Sequence, residues 1–430
     1  MTTTDIPCPR PRIALISAHT SPLATIGGRQ TGGMNVYVRE TAAELARLGH
    51  AVDVFTRDDG SMPAIQSPAS GVRVIALEAG PCAPVEKEDL PQHLPGFLNA
   101  LRAFREREGL RYGAVHSHYW MSGWVARHLQ RLWDVPHIAM FHTLGEVKRR
   151  ARVEERESDY RIETERAVVA TADRIVVAST HEKGQLIRLY GAADQRVAVI
   201  PCGVNLDRFR PQDKASARAA LGLPQERDIV LFVAARLEPL KGLEILIDAV
   251  AELEDSTPDL VIVGGDQRAS SYVAGLKTQA ERAGLGDRVR FAGAVAQESL
   301  PDYYSAADVC VVPSYYESFG LVALEAMACG TPVIASRVGG LTGTIRDGES
   351  GYLIPWRCPQ PFADKIDLLL TNDELRRALG AAAEERAQRF HWSAVAEELS
   401  TLYCQTIDER AAEGCHPAGA GATAPVACHA

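Results

Sequence analysis

Several protein classes are excluded by what this sequence lacks. It holds nine cysteines, yet none forms a CxxC pair or a dense framework, which argues against structural zinc and against a disulfide-stabilised secreted domain. No run approaches the roughly 18 apolar residues of a membrane-spanning helix. Lys and Arg number 46 against 55 Asp and Glu, so the basic excess of a general nucleic-acid binder is missing. We therefore expect a cytoplasmic protein that binds neither nucleic acid nor membranes.

Three motifs for cofactors and metals are absent as well. Neither GxGxxG nor GxxxxGK[ST] occurs, so the fingerprints of hydride-transfer dehydrogenases and of P-loop nucleotide hydrolases are missing. The chain also has no Asp-x-Asp pair. We expect no required cofactor and no dedicated metal site; Mg²⁺ is compatible with the sequence but is not demanded by it.

Short aliphatic runs alternate with longer helical patterns along the chain, which is typical of parallel sheets covered by helices. With 430 residues, two or three domains are expected. We predict an α/β fold with two doubly wound domains, joined in the polar stretch 203–228, whose facing strand ends form a cleft. The predicted strands are residues 13–17, 51–55, 72–77, 114–116, 137–141, 174–177, 197–201, 229–234, 260–263, 289–291, 309–313 and 332–335.

Two segments contain residues suited to binding an anion. In the first, Gly33 precedes a helical pattern, where glycine allows close approach of the backbone and the first helical amides favour negative charge; an ordinary strand-to-helix turn is an equal alternative. In the second, LFVAARLEPLKG, Arg236 ends a strand and Lys241 precedes the next helix. This pair of cations is suited to a pyrophosphate, although a solvated surface pair is the simpler interpretation of these two residues alone.

Two acidic residues follow in PSYYESFGLVALEAMACG. Glu317 lies in a loop and Glu325 lies on the helix after it. The carboxylate of Glu325 can accept both hydroxyls of a ribose, and its apolar neighbours argue against an idle surface charge. Compensation of the helix dipole is an alternative role for Glu317. The amides available to phosphate or sugar oxygens belong to Ser318, Phe319, Gly320 and Leu321.

With these elements in place, the sequence resembles the family 4 retaining glycosyltransferases, which have the GT-B fold of two Rossmann-like domains. The resemblance rests on the E-x7-E pair, RLEPLKG, TPVIAS and the Gly339-Gly340 pair, and it covers residues 13 to about 402. The segments GGMNVYVRE, HSHYW and HTLGEVK look closest to the branch that holds the inositol-phosphate glycosyltransferase of mycothiol biosynthesis and the sucrose-phosphate synthases.

The resemblance implies a role for each part of the chain. Residues 1–205 would form the acceptor-binding domain and residues 206–390 the nucleotide-sugar-binding domain. Residues 391–410 would form a helix crossing back to the first domain, with Trp392 near the interdomain hinge. Residues 411–430 form a small-residue-rich tail that we predict to be disordered, and its two Cys-His dipeptides are more simply an accidental terminus than a metal site.

Donor-binding residues follow from the same resemblance. Arg236 and Lys241 would hold the diphosphate, Glu325 the ribose and Glu317 the hydroxyls of the transferred sugar. Gly33 would approach the diphosphate, and Val295 would offer its backbone to the base. His118, in HSHYW, would be the catalytic histidine beside the sugar, whereas a histidine that merely satisfies buried backbone groups is the alternative.

Acceptor-binding residues are implied in the same way, and the longer, charged loop 142–165 leaves the acceptor's identity open. Asn35 and His19 would contact the acceptor. The residues that would surround an acceptor phosphate are Lys87, Tyr119, Thr143 and Arg161.

We thus expect a retaining hexosyltransferase that moves a hexose, such as N-acetylglucosamine, from a nucleotide diphosphate sugar to a small phosphorylated polyol or sugar such as inositol phosphate. The alternatives are a peripheral-membrane glycosyltransferase acting on a lipid-linked or polysaccharide acceptor and a noncatalytic nucleotide-sugar-binding protein. Because the motif assigns Glu317 to sugar hydroxyls, we expect attack on the face that the leaving group vacates rather than a carboxylate nucleophile. The oligomeric state is open, and a homodimer is compatible with the sequence.

Overall fold

The computed structural model describes residues 10–24, 31–151, 157–265, 271–355 and 357–414. Two helix-covered β-sheets organise these residues, one of eight strands and one of six. The first sheet has the strand order β3-β4-β2-β1-β5-β6-β7-β8. Its strands are Ile13–Ile16 (β1), Val52–Arg57 (β2), Ile65–Ala69 (β3), Val72–Leu77 (β4), Ala114–His118 (β5), His137–Met140 (β6), Arg174–Val177 (β7) and Val197–Val199 (β8).

Most of the first sheet is parallel and buried. Only the pair β3–β4 is antiparallel among its pairings, and β3 is an exposed edge strand. Strand β1 is buried along its whole length, as its uninterrupted sequence IALI predicts for a central parallel strand. The helices of this domain are Gly33–Arg47 (α1), Leu94–Arg107 (α2), Tyr119–Trp133 (α3), Gly145–Ala151 (α4), Asp159–Thr171 (α5) and Thr180–Tyr190 (α6).

The second sheet is parallel throughout, in the order β11-β10-β9-β12-β13-β14. Its strands are Ile229–Ala234 (β9), Asp259–Gly264 (β10), Val289–Gly293 (β11), Val309–Val312 (β12), Val333–Ser336 (β13) and Tyr352–Ile354 (β14). The remaining helices are Lys214–Leu221 (α7), Leu243–Ala251 (α8), Ser271–Arg282 (α9), Leu300–Ala306 (α10), Leu321–Ala328 (α11), Leu341–Thr344 (α12), Pro359–Leu370 (α13), Asp373–Ala387 (α14) and Trp392–Gly414 (α15).

The polar stretch 203–228 is not simply a linker, because it contains helix α7. The Asp213 side chain caps this helix by accepting a hydrogen bond from the Ser216 amide at 2.8 Å. Arg218 then places a guanidinium nitrogen 2.7 Å from the buried carboxylate of Asp308, at the start of β12. This ion pair attaches helix α7, which lies within the predicted junction, to the second sheet.

Helix α15 crosses back onto the first domain. The Trp392 ring packs edge-on against Tyr37 of α1, with ring centroids 5.6 Å apart, and a Cβ added to Gly203 in the connecting segment would lie 2.7 Å from the Trp392 ring. Farther along α15, the hydroxyl of Tyr403 is 2.7 Å from Nδ1 of His116 in β5. The helix continues to Gly414, so it extends into the segment predicted as a disordered tail; residues 415–430, with both Cys-His dipeptides, lie outside the described residues.

Candidate functional site

A cavity of about 280 Å³ lies where the carboxyl ends of the two sheets face each other. Residues from both domains line it, including Gly33 and His142 on one side and Arg236 and Phe319 on the other. A smaller cavity of about 80 Å³ adjoins it. The two cavities have seven lining residues in common, so together they form one continuous site: Gly32, Gly33, Val233, Ala234, Ala235, Leu321 and Val322.

The two predicted diphosphate cations both line the large cavity, and each is paired with a carboxylate. Nε of Arg236 lies 3.0 Å from Oε1 of Glu238. Nζ of Lys241 donates to Oε2 of Glu317 at 2.7 Å. The two side chains are 44% and 30% exposed, respectively, so each can turn from its carboxylate to an incoming anion at modest cost.

The loop that contains Glu317 is held by close approach of a second loop. Gly339 has φ +49°, and a Cβ at this position would lie 1.6 Å from the Glu317 carbonyl oxygen. The amide of Gly340 donates to that same oxygen at 3.1 Å. At the end of the loop Gly320, with φ +92°, begins helix α11, whose N-terminus is capped by no side chain. Because Gly320, Leu321 and Val322 line the large cavity, the first amides of α11 are potential donors to an anion there.

Glu325 lines the smaller cavity together with Val295. Its carboxylate is buried and accepts a hydrogen bond from the Tyr304 hydroxyl at 2.8 Å. Burial raises the pKa of Glu325 to about 7, against the lowering effects of the hydrogen bonds from Tyr304 and Gln297 and of the charge on Arg208. Burial thus favours the protonated acid, and hydroxyl donors such as those of a ribose would favour the carboxylate by hydrogen bonding to it.

The turn before α1 brings Gly33 against the donor side of the site. A Cβ on Gly33 would lie 3.1 Å from a side-chain carbon of Leu321. Asn35 also lines the cavity, but its side chain is engaged locally. Its amide nitrogen donates to Thr20 Oγ1 at 2.9 Å and to the Ser21 carbonyl at 2.7 Å. We conclude that Asn35 shapes the cavity wall by joining the β1 loop to α1.

His118 does not occupy the position beside the cavity that the sequence predicts for it. It is fully buried and is not among the lining residues. His142, which follows β6 and has φ +59°, does line the cavity, as does His19. Because the two imidazoles are 3.0 Å apart, from His118 Nδ1 to His142 Nε2, His118 is in a position to orient His142.

Burial keeps both of these imidazoles neutral. It lowers the pKa of His142 to about 3, and burial together with His116 and His142 lowers the pKa of His118 well below its ordinary value. The Ser318 hydroxyl donates to the His142 carbonyl. The donor-side loop is therefore bonded directly to the turn that carries the cavity histidine.

The predicted phosphate-binding residues cluster around the ring of Tyr119. Nζ of Lys87 lies 5.2 Å from the ring centroid, and the Arg161 guanidinium carbon lies 4.9 Å from it. Arg161 Nη2 donates to the Thr143 hydroxyl at 3.0 Å and to its carbonyl at 2.8 Å. The ring of His19 packs on Tyr119 with centroids 4.7 Å apart. Lys87, Tyr119, Thr143 and His19 line the large cavity, whereas Arg161 is buried beneath Thr143.

Tyr119 and His142 have positive φ angles of 76° and 59°. Such angles are costly for residues with a bulky side chain. Both residues stand just beyond the end of a first-sheet strand and line the same cavity. The strain thus occurs where two loops turn side chains toward the space between the domains.

Besides His142, sequence reasoning missed Lys148 and Glu182, which also line the large cavity. The Glu182 carboxylate accepts from the Ala178 amide at 3.1 Å, and burial raises its pKa to about 7 despite that bond. The sequence did contain a signal for Glu182. Ser179 and Glu182 form the S-x-x-E spacing of a helix start directly after β7. That spacing has an ordinary capping explanation, so it does not indicate a site by itself.

Within the described residues, no group of three or more His, Cys, Asp or Glu side chains is arranged to hold a metal ion. Over the same ranges, none of the helices combines the length and the apolar character needed to cross a bilayer.

Two family models match the chain: Glycosyltransferase Family 4 over residues 31–208 and Glycosyl transferases group 1 over residues 213–386. Among curated relatives, D-inositol 3-phosphate glycosyltransferase 2 of Catenulispora acidiphila is 43% identical over 93% of this chain and 96% of its own length. The D-inositol 3-phosphate glycosyltransferase of Acidothermus cellulolyticus is 45% identical over 93% of this chain and 91% of its own.

Two solved structures are also similar to this chain. Sucrose-phosphate synthase from Thermosynechococcus elongatus is 40% identical, with a TM-score of 0.86, and the match covers 93% of this chain and 100% of that one. Anabaena HepE in complex with UDP-glucose has a TM-score of 0.71 at 21% identity, covering 93% of this chain and 100% of that one. The second likeness is one of fold alone.

Proposed function

Because this chain belongs to the family 4 and group 1 glycosyltransferases, we propose that it transfers a hexose from a nucleoside diphosphate sugar to inositol phosphate with retention of anomeric configuration. The predicted family, the GT-B fold and the glycosyltransferase activity are confirmed by the relatives. The donor, the acceptor and the stereochemistry belong to the proposal. The hexoses to test first are N-acetylglucosamine and glucose.

One observation carries the acceptor assignment: Lys87 and Arg161 flank the Tyr119 ring at 5.2 and 4.9 Å, on the first-domain side of the cleft. Two cations and a phenol hydroxyl beside the cavity are suited to a phosphate group. The names of the two curated relatives described above contain inositol 3-phosphate, which supports a phosphorylated polyol. The structural relative with 40% identity is named for a phosphorylated sugar, so a hexose phosphate is the second candidate acceptor.

For the donor, we assign the smaller cavity to the nucleoside. The buried carboxylate of Glu325 would accept the ribose hydroxyls, and the segment at Val295 would lie against the base. Arg236, Lys241 and the first amides of α11 would hold the diphosphate where the two cavities meet. The hexose would then extend toward His142 and Glu317 in the large cavity.

The carboxylates of the large cavity favour a same-face substitution. Of the carboxylates that line it, Glu182 accepts from the Ala178 amide, Glu317 is assigned to the sugar hydroxyls, and Glu238 lies beside Arg236, which is assigned to the diphosphate. In the proposed step the acceptor oxygen bonds to the anomeric carbon while the bond from that carbon to the phosphate oxygen breaks. The acceptor's proton passes to the departing phosphate oxygen.

Protein groups contribute positioning and charge stabilisation to this step. Arg236 and Lys241 would neutralise the negative charge that develops on the diphosphate. His142, as a neutral imidazole, would offer a hydrogen bond to a sugar hydroxyl. The facing domains would exclude water from the reacting carbon, which prevents hydrolysis of the donor.

A mass-spectrometric screen tests the proposal. Nucleotide sugars are incubated with inositol phosphates, hexose phosphates and the unphosphorylated counterparts of both. We expect a product with inositol phosphate, little with free inositol, and an unchanged anomeric configuration by NMR. Transfer to unphosphorylated acceptors alone, or an inverted product, would refute the acceptor assignment or the mechanism, respectively.

A further inference from the structure

A carboxylate of this chain lies among the cations of the proposed phosphate site. Nζ of Lys148, which lines the large cavity, donates to Oε1 of Glu157 at 2.6 Å. Nη1 of Arg161 lies 2.8 Å from Oε2 of the same Glu157. The Glu157 side chain is only 11% exposed. Arg161 also pairs through Nε with the buried Glu165 at 2.7 Å, so Glu157 is the carboxylate that Arg161 shares with Lys148.

The local charges hold Glu157 in its ionised form. Burial alone would raise the pKa of Glu157, but Arg161, Lys148 and Lys87 together lower it. Lys87 and Arg161 are the two residues that flank the Tyr119 ring. The carboxylate thus interacts with all three basic side chains at the place where a phosphate would be bound.

Two buried donors in the cluster around the Tyr119 ring are left without a hydrogen-bond partner among the described residues. They are the Tyr119 hydroxyl and Nη1 of Arg161, and both atoms are buried. The contact from Nη1 to Glu157 is short enough for an ion pair but lacks hydrogen-bond alignment. A buried donor left unsatisfied is costly, so the site favours a ligand with more oxygens than one carboxylate provides.

The backbone at Glu157 is fixed independently of its side chain. Arg149 donates from Nε to the Glu157 carbonyl at 2.9 Å and from Nη2 to Oδ1 of Asp159 at 2.7 Å. Ser158, the next residue, caps α5 by accepting from the Arg161 amide at 3.2 Å. The Glu157 side chain can therefore leave the cations by rotation about its own bonds, without movement of the main chain.

We propose that the Glu157 carboxylate occupies the acceptor-phosphate position while the acceptor is absent and is displaced when the phosphate binds, which makes Glu157 a specificity-determining residue. This inference rests on the proposed function. A phosphate carries a charge of about −1.5 to −2 and three acceptor oxygens, so it competes effectively with one carboxylate. An uncharged acceptor cannot displace Glu157 and meets a site whose cations are already neutralised.

Phosphate binding by the full-length protein tests this displacement. Isothermal titration calorimetry with inorganic phosphate compares wild type with Glu157→Gln, a change that removes the charge and keeps the shape. Loss of the competing carboxylate is expected to tighten phosphate binding by about tenfold, equivalent to ~1.4 kcal/mol. Glu163→Gln is the matched control, because Glu163 lies on α5, the helix that follows Glu157, with its side chain exposed. It should bind phosphate as wild type does.

Steady-state kinetics give the second readout. Glu157→Gln should lower the KM for inositol phosphate by a similar factor and leave the KM for the donor unchanged. A folded Glu157→Gln protein with unchanged or weaker phosphate binding would overturn the inference. If that variant does not fold, Glu157→Asp withdraws the carboxylate by one methylene and should also tighten phosphate binding, to a smaller extent.

Failure of the proposed function would look different. If wild type used only unphosphorylated acceptors, the acceptor assignment would be refuted, while the calorimetric comparison would still decide whether Glu157 competes with phosphate. If wild type used inositol phosphate but Glu157→Gln raised its KM, Glu157 would be a binding group for the acceptor rather than its competitor.

Discussion

His118 and His142 share a hydrogen bond of 3.0 Å between Nδ1 of the first and Nε2 of the second. Because both imidazoles are neutral, one of these nitrogens must donate and the other must accept, so the bond fixes complementary tautomers. His116 continues this chain of rings, with its centroid 4.3 Å from that of His118 and its Nδ1 bonded to Tyr403 of α15. The orientation of the cavity histidine is thus set by two strands and the crossing helix.

Substitution of these two histidines should have effects of different size. His142→Ala removes a group that lines the cavity and is expected to lower kcat by about 100-fold, as for loss of a donor to the transition state. His118→Phe keeps a ring in place but removes the bond to His142. It is expected to cost about tenfold, the loss typical of a group that orients another. The measurement is kcat with saturating donor and inositol phosphate.

The control for this comparison is His128→Phe. His128 lies on α3, is half-buried, and bonds through Nδ1 to the Trp124 carbonyl outside the cavity. Its kcat should equal that of wild type. A larger loss in His118→Phe than in His142→Ala would contradict the assignment and return the direct role to His118.

These two histidines also illustrate what the sequence could and could not predict. His118 ends β5 and His142 follows β6, and the sequence correctly predicted the ends of these strands at the cleft. Which imidazole enters the cleft depends on the positive φ of Tyr119 and His142. Tyrosine rarely adopts a left-handed conformation, and histidine, although enriched there, adopts it too seldom for the sequence to predict these two turns.

The sequence also predicted some strands of the structure and missed others. All twelve predicted strands overlap strands of the structure, because buried parallel strands read as continuous aliphatic runs. The prediction omitted β3, whose sequence IQSPA is polar and exposed at the sheet edge, and the three-residue β14. Such short or solvated strands are defined by their pairing partner rather than by their own composition.

The buried acid in the smaller cavity should make stability depend on pH. Burial raises the pKa of Glu325 from 4.5 to about 7, so the folded state binds this proton more tightly than the unfolded state does. The free energy of unfolding therefore falls as pH rises from about 5 to about 7, by up to ~3 kcal/mol from this group. In Glu325→Gln the free energy of unfolding should fall less over this pH range, because the titrating group is absent. This variant should therefore be more stable than wild type at pH 8.

Urea denaturation at pH 5 and pH 8 measures this effect, with Glu385→Gln, a change on an exposed side chain of α14, as the control. The same Glu325→Gln protein should bind UDP at least tenfold more weakly, since it loses the carboxylate for the ribose hydroxyls. Equal pH dependence in wild type and Glu325→Gln would show that Glu325 is not the titrating group.

A methyl group at Gly339 should disrupt the donor loop. The added Cβ of Gly339→Ala would lie 1.6 Å from the Glu317 carbonyl oxygen, in a backbone with φ +49°. The Glu317 segment must then shift, and the KM for the donor is expected to rise by about tenfold or more. Gly343→Ala is the control, because nothing lies within 4 Å of its Cβ and it belongs to helix α12. An equal effect of both substitutions on the donor KM would refute the role of the close approach.

The strongest test of the donor site concerns Arg236. In the absence of donor this guanidinium is 44% exposed and pairs only with Glu238 among the described residues, so Arg236→Met leaves no deeply buried charge unpaired and should fold normally. If the guanidinium stabilises the departing diphosphate, its loss costs about 2 to 4 kcal/mol in the transition state. That is a fall of about 30- to 1000-fold in kcat/KM for the donor.

Arg346→Met supplies the matched control for this experiment. Arg346 is 56% exposed and pairs with Glu349 at 3.5 Å, but it does not line either cavity of the site. Its loss should change kcat/KM by less than about twofold. Because both variants remove one exposed, ion-paired guanidinium from the same domain, the difference between them measures what the position in the cleft contributes. Equal activity of the two proteins would mean that the diphosphate lies elsewhere, and the assignment of the donor to this cleft would fail with it.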